Sequence, residues 1–140
     1  RFMKTIYFDG YSNSKNAGFV VTDSVGNIVS ESGIGKKTNN EAEYYGALKA
    51  LELVDYNGTV YTDSKLVEGQ VMHNWKVKAF HLRSLAQGCR SLVKRKNVNL
   101  VWLRRNKNLA GIVIEQGMVI PEVKPKVVDE LLSEYNSMEF

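Results

Sequence analysis

Apolar and polar residues alternate from Met3 to Asp9, with Ile6 and Phe8 on one side and Thr5, Tyr7 and Asp9 on the other. A period of two predicts a half-buried strand, here ending on an acid. Ala17 to Thr22 is a second such run, and the polar stretch Asp23-Ser24-Val25-Gly26-Asn27 reads as a hairpin turn into a third strand over 28–34. From Asn40 the period lengthens: Tyr44, Ala47, Leu48, Leu51 and Val54 predict a helix to about Asp55, stopped by Asn57 and Gly58. Thr59 to Thr62 predicts a short strand, after which Asp63 and Ser64 open a helix carrying Leu66, Val67, Val71 and Met72. Beyond a break at Asn74 to Lys78, residues 81–96 carry Leu82, Leu85, Ala86, Cys89, Leu92 and Val93 on one helical stripe. A fifth strand is predicted over 98–103, a helix over 108–116 and a terminal helix over 125–136.

Three strands with short links make an antiparallel meander, whereas strands separated by helices have to cross over and pair in parallel. The predicted fold class is therefore α/β: a mixed five-stranded sheet, three antiparallel strands and then parallel crossovers, flanked by helices. Right-handed crossovers gather the carboxyl ends of the first and fourth strands at one edge, which is where Asp9 and Asp63 stand.

The chain of 140 residues is expected to form one domain over 1–140, with a helical extension from about 118. With 44% hydrophobic and 24% charged residues, neither a disordered nor a fibrous chain is indicated. No apolar stretch approaches the roughly 18 residues of a membrane span, and no signal-peptide pattern is seen, so a cytoplasmic, monomeric protein is expected. The lone Cys89 lies on the apolar stripe and reads as a small buried hydrophobe. The net charge of +4 is modest but clustered, with Arg83, Arg90, Lys94, Arg95, Lys96, Arg104, Arg105 and Lys107 close in sequence. Such a cluster favours a polyanionic partner, unless these are ordinary solvated positions.

Three acids fall at predicted element ends: Asp9 in FDG, Glu43 in TNNEAEY and Asp63 in TDS. Singly, each has a plain structural explanation. Asp9-Gly10 suits a turn, Glu43 can partner a helix cap at Asn40, and Asp63 can itself cap the next helix. Jointly they point elsewhere, because independent caps have no reason to meet at one sheet edge. Converging carboxylates repel unless cations share the site, and carboxylate oxygen is the preferred ligand of Mg²⁺.

The series FDG, TNNEAEYYGALKAL, YTDSKLV, NWKVK and VWLRRNKNLAG, in that order and spacing, resembles the type 1 branch of the ribonuclease H family. The resemblance implies the family's mixed five-stranded sheet and endonucleolytic cleavage of the RNA strand of an RNA/DNA hybrid with two Mg²⁺ or Mn²⁺ ions. It places Asp9, Glu43 and Asp63 as metal-binding acids, and gives Glu41 no role. Gly10, Ser12, Asn39 and Asn40 match positions that contact the hybrid, where small donors read 2′-hydroxyls. Two departures stand out. The last helix reads Asn108-Leu109-Ala110-Gly111, so the family's fourth acid is missing at Gly111, and Glu115 one turn on is the candidate replacement. The preceding loop lacks the histidine of some relatives and offers Arg104 and Arg105, which suit phosphate. With little room for a basic protrusion around NWKVK, substrate grip is expected either to be weaker or to rest on Arg83, Arg90 and Lys94. The alternatives are a non-catalytic or weakly active nucleic-acid-binding domain of the same fold, and a metal-dependent nuclease acting on DNA.

Overall fold

The computed structural model describes residues 3–117. The strands are β1 (Thr5–Ser12), β2 (Ala17–Thr22), β3 (Ile28–Gly35), β4 (Thr59–Thr62) and β5 (Asn99–Trp102), and the helices are α1 (Asn39–Leu53), α2 (Lys65–Met72), α3 (Phe80–Lys96) and α4 (Leu109–Glu115). They form one sheet in the order β3-β2-β1-β4-β5. The first three strands are antiparallel, and β1, β4 and β5 are parallel. The expected mixed sheet is therefore the observed one. The helix expected over 125–136, and the extension from 118 that contains it, lie outside the described residues. Among the described residues no helix is long and apolar enough to cross a membrane.

The period-two alternation of β1 decides the layering. Ile6 and Phe8 enter the main core with Phe19 and Val21 of β2, Val60 of β4 and Leu100 of β5, under Tyr44, Ala47, Ala50 and Leu51 of α1. Leu82, Ala86 and Cys89 of α3 close the same core, and burial pushes the Cys89 thiol up to about 12, in keeping with a packing role. On the opposite face Val20 meets Ala110 and Val113 of α4. That face also stacks Tyr7 on Tyr61, ring centroids 5.0 Å apart.

β1 does not end at Asp9. Its antiparallel partner carries it on through Gly10↔Phe19, Tyr11↔Gly18 and Ser12↔Ala17, so Asp9-Gly10 is strand and the turn falls at Asn13, whose Oδ1 accepts the amides of Lys15 and Asn16. The parallel partner stops earlier, at Tyr7↔Tyr61. Asp9 thus stands just where β1 loses β4, at the point of the sheet where strand direction switches and crevices open.

The basic cluster divides by function. Arg83 donates to the carbonyl of Val77 and Arg90 to that of Gln70, pinning the loop between α2 and α3. Lys96 is buried, and its Nζ donates to the carbonyls of Leu51, Glu52 and Val54, completing the carboxyl end of α1. Arg90 thus has most of its guanidinium engaged by backbone carbonyls, whereas Arg83 is exposed and uses only Nε. Lys94 and Arg95 remain on the surface.

Candidate active site

The cap geometry releases the acids from their plain readings. α1 starts with a capping box in which Thr38 Oγ1 accepts the Glu41 amide and Glu41 returns a bond to the Thr38 amide. Asn40 is therefore not the cap, Glu43 is not its partner, and Glu41 is fully used at the helix start. α2 is capped by Ser64, whose Oγ accepts the Val67 amide, so Asp63 is not the cap either.

Freed from those duties, Asp9, Glu43 and Asp63 converge, each offering an oxygen within 4.8 Å of the others. Asp9 is fully buried and Glu43 nearly so. The Gly10 amide donates to Glu43 Oε1 at 2.7 Å. Asp63 is held from two sides: Trp102 Nε1 donates to its carbonyl at 3.0 Å, and Asn108 Nδ2 donates to its Oδ2 at 2.9 Å. Asn108, buried at the amino end of α4, also reaches the Phe8 carbonyl and caps its own helix through the Ala110 amide. One side chain thereby locks β1, β4 and α4 together. The cue for its role was available in an Asn placed directly before an apolar run.

The cluster is costly without a cation. Burial first, and then the Asp63 carboxylate, push Asp9 up to about 7 even though Arg105 pulls it down. Burial and then Asp9 raise Glu43 well above the carboxylate range. Asp9 Oδ1 is moreover buried with no hydrogen-bond partner among the described residues, so nothing there offsets its charge when it ionises. Both groups hold protons more tightly folded than unfolded, so between about pH 4 and pH 7 the folded state binds more protons and stability falls as pH rises. The difference in Tm between the metal-free protein and Asp9→Asn is expected to widen by about 5 °C from pH 5 to pH 8, the variant being the more stable. A constant difference in calorimetric scans contradicts it.

Gly10 is required by close approach. A Cβ there would lie 2.5 Å from the Glu43 amide nitrogen and 2.6 Å from the Ala42 carbonyl carbon, both rigid backbone. Gly10→Ala is expected to part β1 from α1 at a cost of about 2–4 kcal/mol, read as a clear fall in Tm. An unchanged melting curve refutes this packing.

Ser12 Oγ donates to the Lys37 carbonyl, which places it beside the exposed Asn39 and Asn40 at the start of α1. Gly10 is buried and its amide serves Glu43, so its part in contacting a hybrid is not visible in this arrangement. Arg104 is exposed, but Arg105, expected on phosphate, turns into the acids: its Nη1 lies 3.0 Å from Asp9 Oδ2 and 3.1 Å from Asp63 Oδ2. Its Nε lies 2.9 Å from Glu115 Oε1. Glu115 does not join the three acids and meets them only through Arg105, with 58% of its side chain exposed. Gly111 does face the cluster, since a Cβ there would stand 3.3 Å from Asp9 Oδ2 and 3.5 Å from Asp63 Oδ2.

Residues 7–112 match the family described as reverse transcriptase-like. Ribonuclease HI of Halobacterium salinarum is 36% identical over 97 residues, which is 62% of this chain and 49% of that protein. The bifunctional protein Rv2228c of Mycobacterium tuberculosis is 36% identical over 84 residues, 56% of this chain and 23% of its own length. The chain thus spans a half or less of the length of these curated relatives. Among solved structures, RNase H1 of Halobacterium salinarum superposes with a TM-score of 0.61 at 30% identity, covering 80% of this chain and 97% of that one. LC11-RNase H1 in complex with RNA/DNA hybrid gives 0.59 at 30% identity, covering 82% and 99%.

Proposed function

We propose, because the chain belongs to the type 1 branch of the ribonuclease H family, that it is a metal-dependent endonuclease hydrolysing the RNA strand of RNA/DNA hybrids. The observation that carries this reading is the convergence of Asp9, Glu43 and Asp63 from β1, α1 and the end of β4. The donor set suits a divalent cation: hard carboxylate oxygens, one of them buried without a donor, on groups that resist ionising together. Two Mg²⁺ or Mn²⁺ ions would be held with Asp9 shared between them and Glu43 and Asp63 completing one shell each. Glu115, exposed and paired with Arg105 in this arrangement, would serve the second position as a weaker stand-in for the missing acid at 111, and only once that pair parts. When bound, such ions lower the pKa of a water and stabilise the leaving oxygen of a phosphodiester.

The chain's own residues supply positioning. Asn108 aims Asp63, and the Gly10 amide aims Glu43. Ser12, Asn39 and Asn40 offer small polar groups at the start of α1, suited to 2′-hydroxyls, and Arg104 offers a permanent charge to phosphate. The hybrid is favoured as substrate because LC11-RNase H1, a relative over most of this chain, was solved bound to one. In this reading the protein works as a cytoplasmic monomer.

Incubating the protein with a labelled hybrid in Mg²⁺ or Mn²⁺ is expected to give cuts in the RNA strand and none in the DNA strand. Intact RNA at every concentration of both metals would remove the proposal, and cleavage of DNA in its place would identify a different nuclease. Gly111 and the turned-in Arg105 favour a second reading, a weakly active or non-catalytic domain that grips nucleic acid. Salt-dependent binding of hybrid without turnover in any metal would establish it.

A further inference from the structure

We infer that Arg105 is a built-in competitor of the metal: its guanidinium bridges the carboxylates that a divalent cation would bridge, and it has to leave when the cation enters. The inference rests on the metal site proposed above. Nη1 of Arg105 lies 3.0 Å from Asp9 Oδ2 and 3.1 Å from Asp63 Oδ2, so it occupies an oxygen on each of two acids that would hold the ion. Ligand oxygens approach Mg²⁺ to about 2.1 Å, so ion and guanidinium cannot bridge these two oxygens together.

The placement of Arg105 follows from two neighbours. Glu115 Oε1 takes Nε at 2.9 Å, fixing the plane of the fork so that Nη1 points into the acids. At Gly111 a Cβ would come within 3.5 Å of Nη1, and glycine leaves that space to the guanidinium. The missing acid and the inserted base are thus two parts of one arrangement. A carboxylate at 111 would have added a ligand; here the same volume admits a cationic side chain. The mobile partner is also identifiable. Asp9 is fully enclosed, whereas 48% of the Arg105 side chain faces solvent, so the way out is open to the arginine and closed to the acid.

Metal binding then becomes an exchange of one cation for another, and residue 105 sets the metal concentration at which the acids fill. Arg105→Gln, which removes the charge and keeps most of the bulk, is expected to bind Mn²⁺ about 10-fold more tightly than wild type, about 1.4 kcal/mol. Glu115→Gln loosens the fork without removing it and is expected to give a smaller gain, about threefold. Both are read without substrate, by calorimetry and by the electron paramagnetic resonance signal of free Mn²⁺. In the wild-type protein, the Nε–H resonance of Arg105 is expected to be sharp and protected before Mn²⁺-mimicking Mg²⁺ is added, and to lose protection as the site fills.

Wild type binding Mn²⁺ while Arg105→Gln binds it equally or less tightly overturns the inference and leaves the nuclease reading intact. If neither protein takes up Mn²⁺ at millimolar concentration, the metal site itself falls, and this inference with it. Should Arg105→Gln fold poorly, the wild-type resonance decides: protection that persists at saturating Mg²⁺ means that Arg105 stays in place and is no competitor.

Discussion

Asp9→Asn is expected to abolish hybrid cleavage while making the domain harder to unfold. The activity loss is set at about 10³-fold or more, about 4 kcal/mol of barrier, because Asp9 is the acid shared between the proposed ions and an amide offers one neutral oxygen in place of a charged pair. The stability gain has a separate origin. Asp9 is fully buried and its carboxyl is pushed up to about 7, so near pH 8 the fold bears an ionised group it would rather keep protonated. An amide removes that cost, and a rise in Tm of about 3–8 °C without metal follows. The opposite signs make the test discriminating. A purely structural Asp9 would lose stability on substitution, and an acid without a part in the chemistry would keep its activity. Cleavage of labelled hybrid and thermal denaturation on one preparation read both.

Gly111→Asp is expected to raise the cleavage rate about 10-fold or more at limiting Mg²⁺. The new Cβ would stand 3.3 Å from Asp9 Oδ2 and 3.5 Å from Asp63 Oδ2 and Arg105 Nη1. These are the ends of side chains, and a few tenths of an ångström accommodates it. Its carboxylate would join the cluster as a fourth acid and compete for Arg105, which favours release of the arginine and entry of the ion. The cost appears without metal: a fourth negative charge lowers Tm at pH 8, and added Mg²⁺ restores it. A rate unchanged or reduced in Gly111→Asp would mean that Glu115 already supplies what the missing acid would, and that Arg105 does not hold the metal off.

These two positions also show where sequence reasoning reached and where it stopped. The strands β2 and β4 were legible to the residue, because their flanks change polarity abruptly at Ala17, Thr22, Thr59 and Thr62. β1 was read short, since a period-two pattern does not tell how far an antiparallel partner will follow, and that partner carries the strand to Ser12. The three acids were legible as a set through motif and order, but their release from capping was not. It depended on Thr38 and Ser64 winning the cap positions over Asn40 and Asp63. Charge was the least transferable signal. Lys96 and Arg105 stand close together in one basic run, yet one is buried against the end of α1 and the other bridges acids from β1 and β4. Only contacts distant in sequence separate those fates. Gly111 was legible as a departure, whereas the fact that its vacant side faces the guanidinium belongs to the three-dimensional arrangement alone.

The most direct measurement is the anomalous scattering of Mn²⁺ in crystals of the Asp9-intact protein bound to a non-cleavable hybrid. Two peaks are expected, about 4 Å apart, within about 2.3 Å of oxygens from Asp9, Glu43 and Asp63, with Arg105 swung clear and one hybrid phosphate between them. Density showing Arg105 still across Asp9 and Asp63, with manganese absent or elsewhere, would contradict it.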